Sequence, residues 1–436
     1  MDASFVRDGS VLPGDGGVSP RPNGPPRLPA ADRIVELPYM APAQLVAFTL
    51  TATPAQLDVH FSVDTTGSFG AEIDAMQRDL EERLIPEIRA RVADSAFGVS
   101  RFEDFPIHPF GDQADLPFRL LSPVTTDVAR VRAGVDDLDR PLGSGGDIAE
   151  AGFEALFQIA SGAGLTSAGR EWIAPFAGTG LGGVGFREGA LHAIVHITDA
   201  PAHAASDYGA AVADAHSEAD ARAALAELPA FVLAAVGSAE ARSSLQALVV
   251  GSGAVVPPVG GQCLTGLNGA ARPPEGGQCP LLFDIASDGT GLSDAILDAI
   301  TGLVETLSYR HVRAEFDTDR LGFIESFEAT SATALMGVTP PTRVDSPPTD
   351  GVFDAFEDVR GGTELVFTLR LRNVLLRDLD YEQAFRITVR IVGDGVVLAE
   401  QTLRIVVPAV SPEGAGDAGP ADAGPLDGGV SGDGGP

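Results

Sequence analysis

The chain of 436 residues contains no lysine; all 29 of its basic side chains are arginine, and 61 acids oppose them, for a formal charge of −32. So acidic a chain is repelled by phosphate backbones, which disfavours nucleic-acid binding. The same repulsion works against anionic membrane surfaces. No run of about 18 apolar residues occurs, so no segment reads as a membrane-spanning helix. Only two cysteines are present, and the CxxC spacing of a zinc site is missing. There is no phosphate loop, no Ser-His-Asp order and no haem motif. The start, Met1 to Arg7, lacks the apolar stretch of a signal peptide, so the protein is cytosolic or its export signal is missing from this chain. What an acid-rich surface does attract is cations.

Hydrophobic residues make up 44% of the chain, enough for at least one large core. Glycine and proline, 52 and 32 residues, are above average usage and point to many turns or long linkers. Residues 1–32 are rich in Gly, Pro and Asp without periodicity and read as a disordered arm. Residues 411–436 run in Asp-Ala-Gly-Pro units, an extended acidic tail.

Two patterns lie between the arms. From residue 57 onward, apolar strands alternate with helical stripes, the signature of an α/β sheet. Leu57–Val63 reads as a buried strand, and Ile73, Met76, Leu80, Leu84, Ile88 and Val92 recur every three or four residues along a helix. Phe97–Phe102, His192–Thr198, Phe231–Gly237 and Leu281–Ala286 are further strands, and Leu292, Ile296, Ile300 and Leu303 stripe a closing helix. After residue 311 the period changes to two. Leu365, Phe367, Leu369 and Leu371 alternate with polar neighbours, as do Phe385, Ile387, Val389 and Ile391, and then Leu403, Ile405 and Val407. Such alternation means antiparallel strands with one solvated face. Residues 33–56 also read as strands. The expected organisation is one β-sandwich assembled from residues 33–56 and 312–410, with an α/β domain at 57–311 grown out of a loop.

The chemistry concentrates at strand ends. The first α/β strand runs into Asp64-Thr65-Thr66-Gly67-Ser68, directly before a helix. One carboxylate and two hydroxyls at alternate positions of a turn direct several oxygens to one point, and hard divalent cations take oxygen ligands. Two more acidic clusters, Gly145-Gly146-Asp147-Ile148-Ala149-Glu150 and Thr198-Asp199, fall at positions on the same edge of the sheet, where open α/β sheets bind ligands. A helix N-cap accounts for Asp64, Ser68 or Asp147 singly, but not for three such strand ends together.

Asp64-x-Thr66-x-Ser68 resembles the metal-ion-dependent adhesion site of von Willebrand factor A domains. The match is closest to the A-like domain of integrin beta subunits. That group carries segments similar to Asp147-Ile148-Ala149-Glu150-Ala151-Gly152-Phe153 and to Thr198-Asp199-Ala200-Pro201-Ala202-His203. Its flanks form a β-sandwich, which the strands around 44–50 and 364–407 resemble. The resemblance spans about residues 35–408. It implies a doubly wound, mostly parallel A domain inserted in an antiparallel sandwich. It also implies a central Mg²⁺ or Mn²⁺ held or surrounded by Asp64, Thr66, Ser68, Glu150 and Asp199. Asp104, with Asp147 and Glu150, matches acids of a neighbouring cation, Ca²⁺ by the resemblance. Gly145 and Ala149 depart from the family pattern there. Ala71 and Glu72 replace the two acids of a third site.

The expected function is adhesion or ligand binding without catalysis. The cation takes a carboxylate from a protein or polysaccharide partner. An intracellular assembly module gripping a partner complex is the alternative. A metal-assisted hydrolase needs a non-ligand acid or base beside the cation, and no residue plainly fills that role. His192 and His196 read as structural residues of a strand, His203 as a residue that orients a loop, and Asp317 and Asp319 as turn acids. Cys263 and Cys279 sit in the near-repeats Gly261-Gln262-Cys263 and Gly277-Gln278-Cys279. Two free thiols in a flexible loop are one reading. The expectation is a disulfide, worth about 3 kcal/mol in the chain-entropy model, because paired cysteines and polar low-complexity ends fit an extracytoplasmic protein.

Overall fold

The computed structural model describes residues 31–139, 141–316 and 319–409. The expected acidic tail, nearly all of the expected N-terminal arm, and Asp317 lie outside the described residues.

Two strands, β1 (Arg33–Glu36) and β2 (Gln44–Thr51), come first. Then follow β3 (Gln56–Asp64), α1 (Gly70–Asp79), α2 (Ile85–Arg91), β4 (Asp94–Phe102), β5 (Arg119–Thr125) and α3 (Val128–Asp136). Next are α4 (Gly152–Ser161), the hairpin β6 (Leu165–Ser167) and β7 (Arg170–Ile173), β8 (Leu191–Thr198), α5 (Glu218–Glu227), β9 (Ala230–Val236) and α6 (Ala239–Gly251). The short pair β10 (Val255–Val256) and β11 (Cys279–Pro280) precedes β12 (Leu282–Asp284) and α7 (Leu292–Thr306). The chain then continues through β13 (Ser308–Phe316), β14 (Ile324–Thr333), β15 (Thr342–Val344), β16 (Ala355–Arg360), β17 (Glu364–Leu371), β18 (Gln383–Gly393) and β19 (Val396–Val407).

Six strands form one sheet in the order β12-β9-β8-β3-β4-β5, parallel except for β5, which runs antiparallel to β4 at the edge. Every residue of β8, and all but the first of β3 and β4, is buried, as a sheet covered on both faces requires. Ile73, Met76, Leu80, Leu84 and Ile88 join Phe61, Phe97, Ile194, Ile296 and Ile300 in one core. The helical stripe read from the sequence therefore faces the sheet. In order of appearance within the sheet, the first strand, β3, lies beside the fourth, β8. The strand order reverses between them, and such a switch point opens a crevice at the carboxyl ends.

Apart from the two-stranded β6–β7 and β10–β11 pairs, two further sheets are present, and they are almost wholly antiparallel. Their orders are β1-β19-β18-β13-β16-β15 and β14-β17-β2, and β1 alone lies parallel to its neighbour β19. β2 pairs with β17 from Thr51–Glu364 to Gln44–Leu371. Strands from before the α/β sheet thus complete both sheets made after it. The two sheets enclose a common core of Val35, Val46, Phe48, Phe367, Leu369, Ile387, Leu403 and Ile405. The alternating residues of the sequence supply its inner faces. The main chain of Val397 ties this part to the α/β part: its carbonyl accepts from Ala55 and its amide donates to Gly189.

Cys263 and Cys279 are bonded, with Cα atoms 5.3 Å apart, and no cysteine is free. No helix among the described residues is long and apolar enough to cross a membrane. Asp319 Oδ2 accepts from the Ile324 amide at 2.7 Å, as a turn acid does.

A row of histidines threads the parallel sheet. His60 Nε2 lies 2.8 Å from Ser100 Oγ, and His196 Nδ1 lies 3.0 Å from Ser62 Oγ. His196 also stacks on Phe102 with centroids 4.8 Å apart. Burial pushes both His60 and His196 down to about 3. A depressed folded pKa contributes stability that is present above the unfolded value near 6.5 and is lost as pH falls toward the folded one. The double variant His60→Gln/His196→Gln should therefore lose less melting temperature than the parent between pH 7 and pH 4. Equal losses in the two proteins, measured by calorimetry, would remove this account of the row.

Candidate metal centre

At the carboxyl end of β3, Asp64 is fully buried and each of its oxygens is engaged. Oδ1 accepts from the Thr66 amide at 3.0 Å and from Thr66 Oγ1 at 2.7 Å. Oδ2 accepts from Thr198 Oγ1, at the end of β8, at 2.6 Å. Ser68 Oγ lies 3.4 Å from Thr66 Oγ1 and donates to Asp199 Oδ1 at 3.2 Å. Asp64, Thr66, Ser68 and Asp199 are thus linked across the switch point between β3 and β8. Ser68 is exposed and Asp199 half-buried, so the cluster opens to solvent on their side.

Glu150 reaches the cluster from the loop before α4. The Glu150 amide donates to the Pro201 carbonyl, and the His203 amide donates to the Glu150 carbonyl, both at 2.9 Å. This short parallel bridge fastens the Glu150 loop to the segment after β8. Asp115 shapes the same loop: its carboxylate accepts from the amides of Ser144 at 3.0 Å and Gly145 at 3.1 Å. A Cβ at Gly145, where φ is +60°, would lie 2.7 Å from Glu150 Oε1 and 3.6 Å from Thr66 Cγ2. A Cβ at Gly146 would lie 2.0 Å from the Pro109 carbonyl oxygen. These two glycines let the loop close on the Glu150 carboxyl.

Glu150 is 3% exposed, and its Oε2 has no hydrogen-bond partner. Burial, followed by the charges of Asp64, Asp104, Asp115 and Glu103, pushes its carboxyl up to about 10. Burial likewise pushes Asp64 up to about 6. A buried carboxylate without a donor is costly unless a proton or a cation joins it. The donor set around it, carboxylates and hydroxyls, is the kind that Mg²⁺ and Mn²⁺ accept. The residues therefore fit a divalent cation.

Asp104 and Asp147, expected beside a neighbouring cation, converge on His203. His203 Nε2 lies 3.3 Å from Asp104 Oδ2 and 3.1 Å from Asp147 Oδ1. The three ligand atoms lie within 4.8 Å of one another. From sequence alone His203 reads as a residue that orients a loop, near the site by its Thr-Asp-x-x-x-His segment. Its setting depends on contacts that no local spacing encodes. Glu72 is buried on α1, and neither of its oxygens bonds to another residue. Burial first, then Asp199, Asp64 and Asp288, push it up to about 7. Ala71 offers no side-chain ligand beside it.

No protein-family model and no curated protein matches the chain. Among solved structures, it is similar to one described as "von Willebrand factor type A from Catenulispora acidiphila", at 12% identity over 87% of this chain and 72% of that one, with a TM-score of 0.32. An overlap of that quality does not bear on the fold, which rests on the strand order and register above.

A cation bound among these carboxyls would compete with protons for them. Both pKa values are raised, so in metal-free protein these groups contribute stability that is present below about pH 4 and lost as pH rises through about 6 for Asp64 and about 10 for Glu150. A cation bound here would displace the protons. Affinity for Mn²⁺ should therefore rise between pH 5.5 and pH 8. Calorimetry in buffers of different ionisation enthalpy should show proton release at pH 7. Equal affinity at both ends of the range, with no proton release, would contradict the site as drawn.

Proposed function

We propose that this chain is a metal-dependent binding protein rather than an enzyme. A divalent cation, Mg²⁺ or Mn²⁺, is held by Asp64, Thr66 and Ser68, with Glu150 and Asp199 acting directly or through water. The partner is a protein or polysaccharide that supplies a carboxylate as a further ligand. The observation that carries this reading is the buried Glu150 Oε2, unpaired among the charges of Asp64, Asp104, Asp115 and Glu103. Such an arrangement calls for positive charge, and no lysine or arginine hydrogen-bonds to Glu150 or Asp64 among the described residues.

Coordination chemistry gives the binding step. Mg²⁺ prefers six oxygens in a near-octahedral array. A site built from one or two carboxylates and two neutral hydroxyls leaves the cation electrophilic, with positions for water or a partner oxygen. The overall charge of −32 repels an acidic partner at long range, though salt screens this beyond about 8–10 Å. At the exposed mouth beside Ser68, the cation reverses the sign. A partner carboxylate then forms a charge-assisted bond in a partly desolvated site.

The strand order, with one antiparallel edge strand and acids at the switch point, supports the reading of an A-type domain. The β1–β19 and β2–β17 pairings support its insertion into a β-sandwich. The Cys263–Cys279 bond supports an extracytoplasmic location.

A cation that binds only the folded state, present at 100 times its dissociation constant, adds about 2.7 kcal/mol of stability. Millimolar Mg²⁺ should raise the melting temperature by several degrees, and Asp64→Ala should abolish the rise while the protein still unfolds cooperatively. Capture of a carboxylate-bearing partner should vanish in EDTA and return with Mn²⁺. Partner binding of equal affinity in EDTA and in Mg²⁺ would refute the mechanism, and an unchanged melting curve would refute the site.

A further inference from the structure

His203 has carboxylates at both ends of its ring. Nδ1 faces Asp207 Oδ2 at 3.2 Å. Nε2 faces Asp104 Oδ2 and Asp147 Oδ1 at 3.3 and 3.1 Å. With a proton on Nδ1 donated to Asp207, the Nε2 lone pair and two carboxylate oxygens converge on one point. Three acceptors at that spacing repel one another unless a proton or a cation lies among them.

A proton on Nε2 leaves one oxygen unserved. Nε2 is within hydrogen-bond geometry of Asp147, but buried Asp104 Oδ2 has no hydrogen-bond partner despite its 3.3 Å approach. Asp104 Oδ1, by contrast, is saturated by the Tyr208 hydroxyl at 2.7 Å and the Phe105 amide at 2.6 Å. Its other oxygen is held toward the imidazole. A metal ion serves both carboxylates and the nitrogen at once. Metal bonds of about 2.0–2.1 Å place neighbouring ligand atoms about 3.0–3.4 Å apart, which matches the two separations from Nε2, and the three atoms all lie within 4.8 Å of one another.

The surroundings are those of a prepared ligand set. A metal-bound histidine commonly donates its other N–H to a carboxylate, which fixes tautomer and ring orientation, and Asp207 stands at that position. One short turn, residues 204–208, carries both supporting groups: Asp207 for His203 and Tyr208 for Asp104. The rings of Phe110 and Tyr208, with centroids 5.2 Å from that of His203, wall the imidazole in. Asp147 is 38% exposed and leaves a way in from solvent.

We infer that Asp104 Oδ2, Asp147 Oδ1 and His203 Nε2 form a second, separate metal site that takes a first-row transition ion such as Zn²⁺ or Co²⁺ in place of Ca²⁺. An imidazole nitrogen among two carboxylates suits these borderline ions, whereas Ca²⁺ and Mg²⁺ are served by oxygen. The two carboxylates balance the ion's charge. This site does not depend on the cation at Asp64.

The test uses the full chain carrying Asp64→Ala, stripped with EDTA and desalted. Co²⁺ should bind at one equivalent and give d–d absorption bands. X-ray absorption of the Zn²⁺-loaded protein should show one imidazole in the first shell. His203→Gln added to Asp64→Ala should abolish the bands, and Asp207→Asn should weaken Co²⁺ binding by about 10–100-fold. If His203→Gln fails to fold, the imidazole signal in Asp64→Ala and the loss of Co²⁺ binding in Asp147→Asn decide the matter. Absence of Co²⁺ and Zn²⁺ binding to Asp64→Ala, or a bound ion with oxygen ligands only, overturns the inference, the first outcome leaving His203 as a hydrogen-bond partner of Asp147. Mg²⁺ stabilisation of the parent alongside either negative result leaves the central site standing. Co²⁺ bands in Asp64→Ala without any Mg²⁺ effect on the parent would do the reverse.

Discussion

A carboxylate taken out of water must be met by donors, a proton or a cation, and the carboxyl edge of the parallel sheet is arranged around that demand. Glu103 is met by Arg101, Thr65 and the Leu116 amide. Asp115 is met by the amides of Asp112, Ser144 and Gly145. Asp64 is met by Thr66 and Thr198. These bonds give the loops their shape, since each acid gathers backbone amides or hydroxyls from segments far apart in sequence. Once the donors have been used, Glu150 Oε2, Asp104 Oδ2 and both oxygens of Glu72 remain buried and unmet. Hydroxyls surround the first and an imidazole approaches the second, while burial and the neighbouring acids push the Glu72 carboxyl up to about 7.

Much of this was legible in the sequence where the governing contacts are local. Asp64, Thr66 and Ser68 occupy one turn, so their convergence follows from chain geometry. The helical stripe from Ile73 to Ile88 and the period-two runs of β17, β18 and β19 report burial directly. The stripe appears as α1 and α2 joined by a wider turn of helix at Leu80–Leu84. Less local features were harder to read. β5 contains Pro123, lies at the edge and is only partly buried, which weakens its strand signal. α5 and α6 are rich in alanine, so their apolar stripes are faint. The last strand spans only Leu282–Asp284, although the Leu281 carbonyl and the Ile285 amide on either side still bond to Ala234 and Val236 of β9. His203 lies in the Thr198-to-His203 segment, yet its surroundings come from Asp104, Asp147, Asp207 and Tyr208, brought together only by the fold.

The α/β part also depends on its frame. β3 begins five residues after β2 ends, and β13 begins two residues after α7. With connections so short, the register of β2 on β17 and of β13 on β16 and β18 fixes where the first strand and last helix of the parallel sheet start. At its base, Arg187 bonds to Asp58 of β3 and Asp94 of β4. The site thus sits at the far end of strands anchored at their beginnings.

The two glycines of the Glu150 loop differ in what each position would tolerate. Ser144 is exposed and its side chain is free to vary, but a β-carbon at 145 would crowd a carboxyl oxygen, and one at 146 would overlap a carbonyl. At 145 the obstacle is the movable end of a side chain, so the cost of a side chain there lies mainly in the positive φ. At 146 the obstacle is backbone, which cannot swing aside, so the residue immediately before Asp147 and four before the buried Glu150 is held to glycine by steric exclusion.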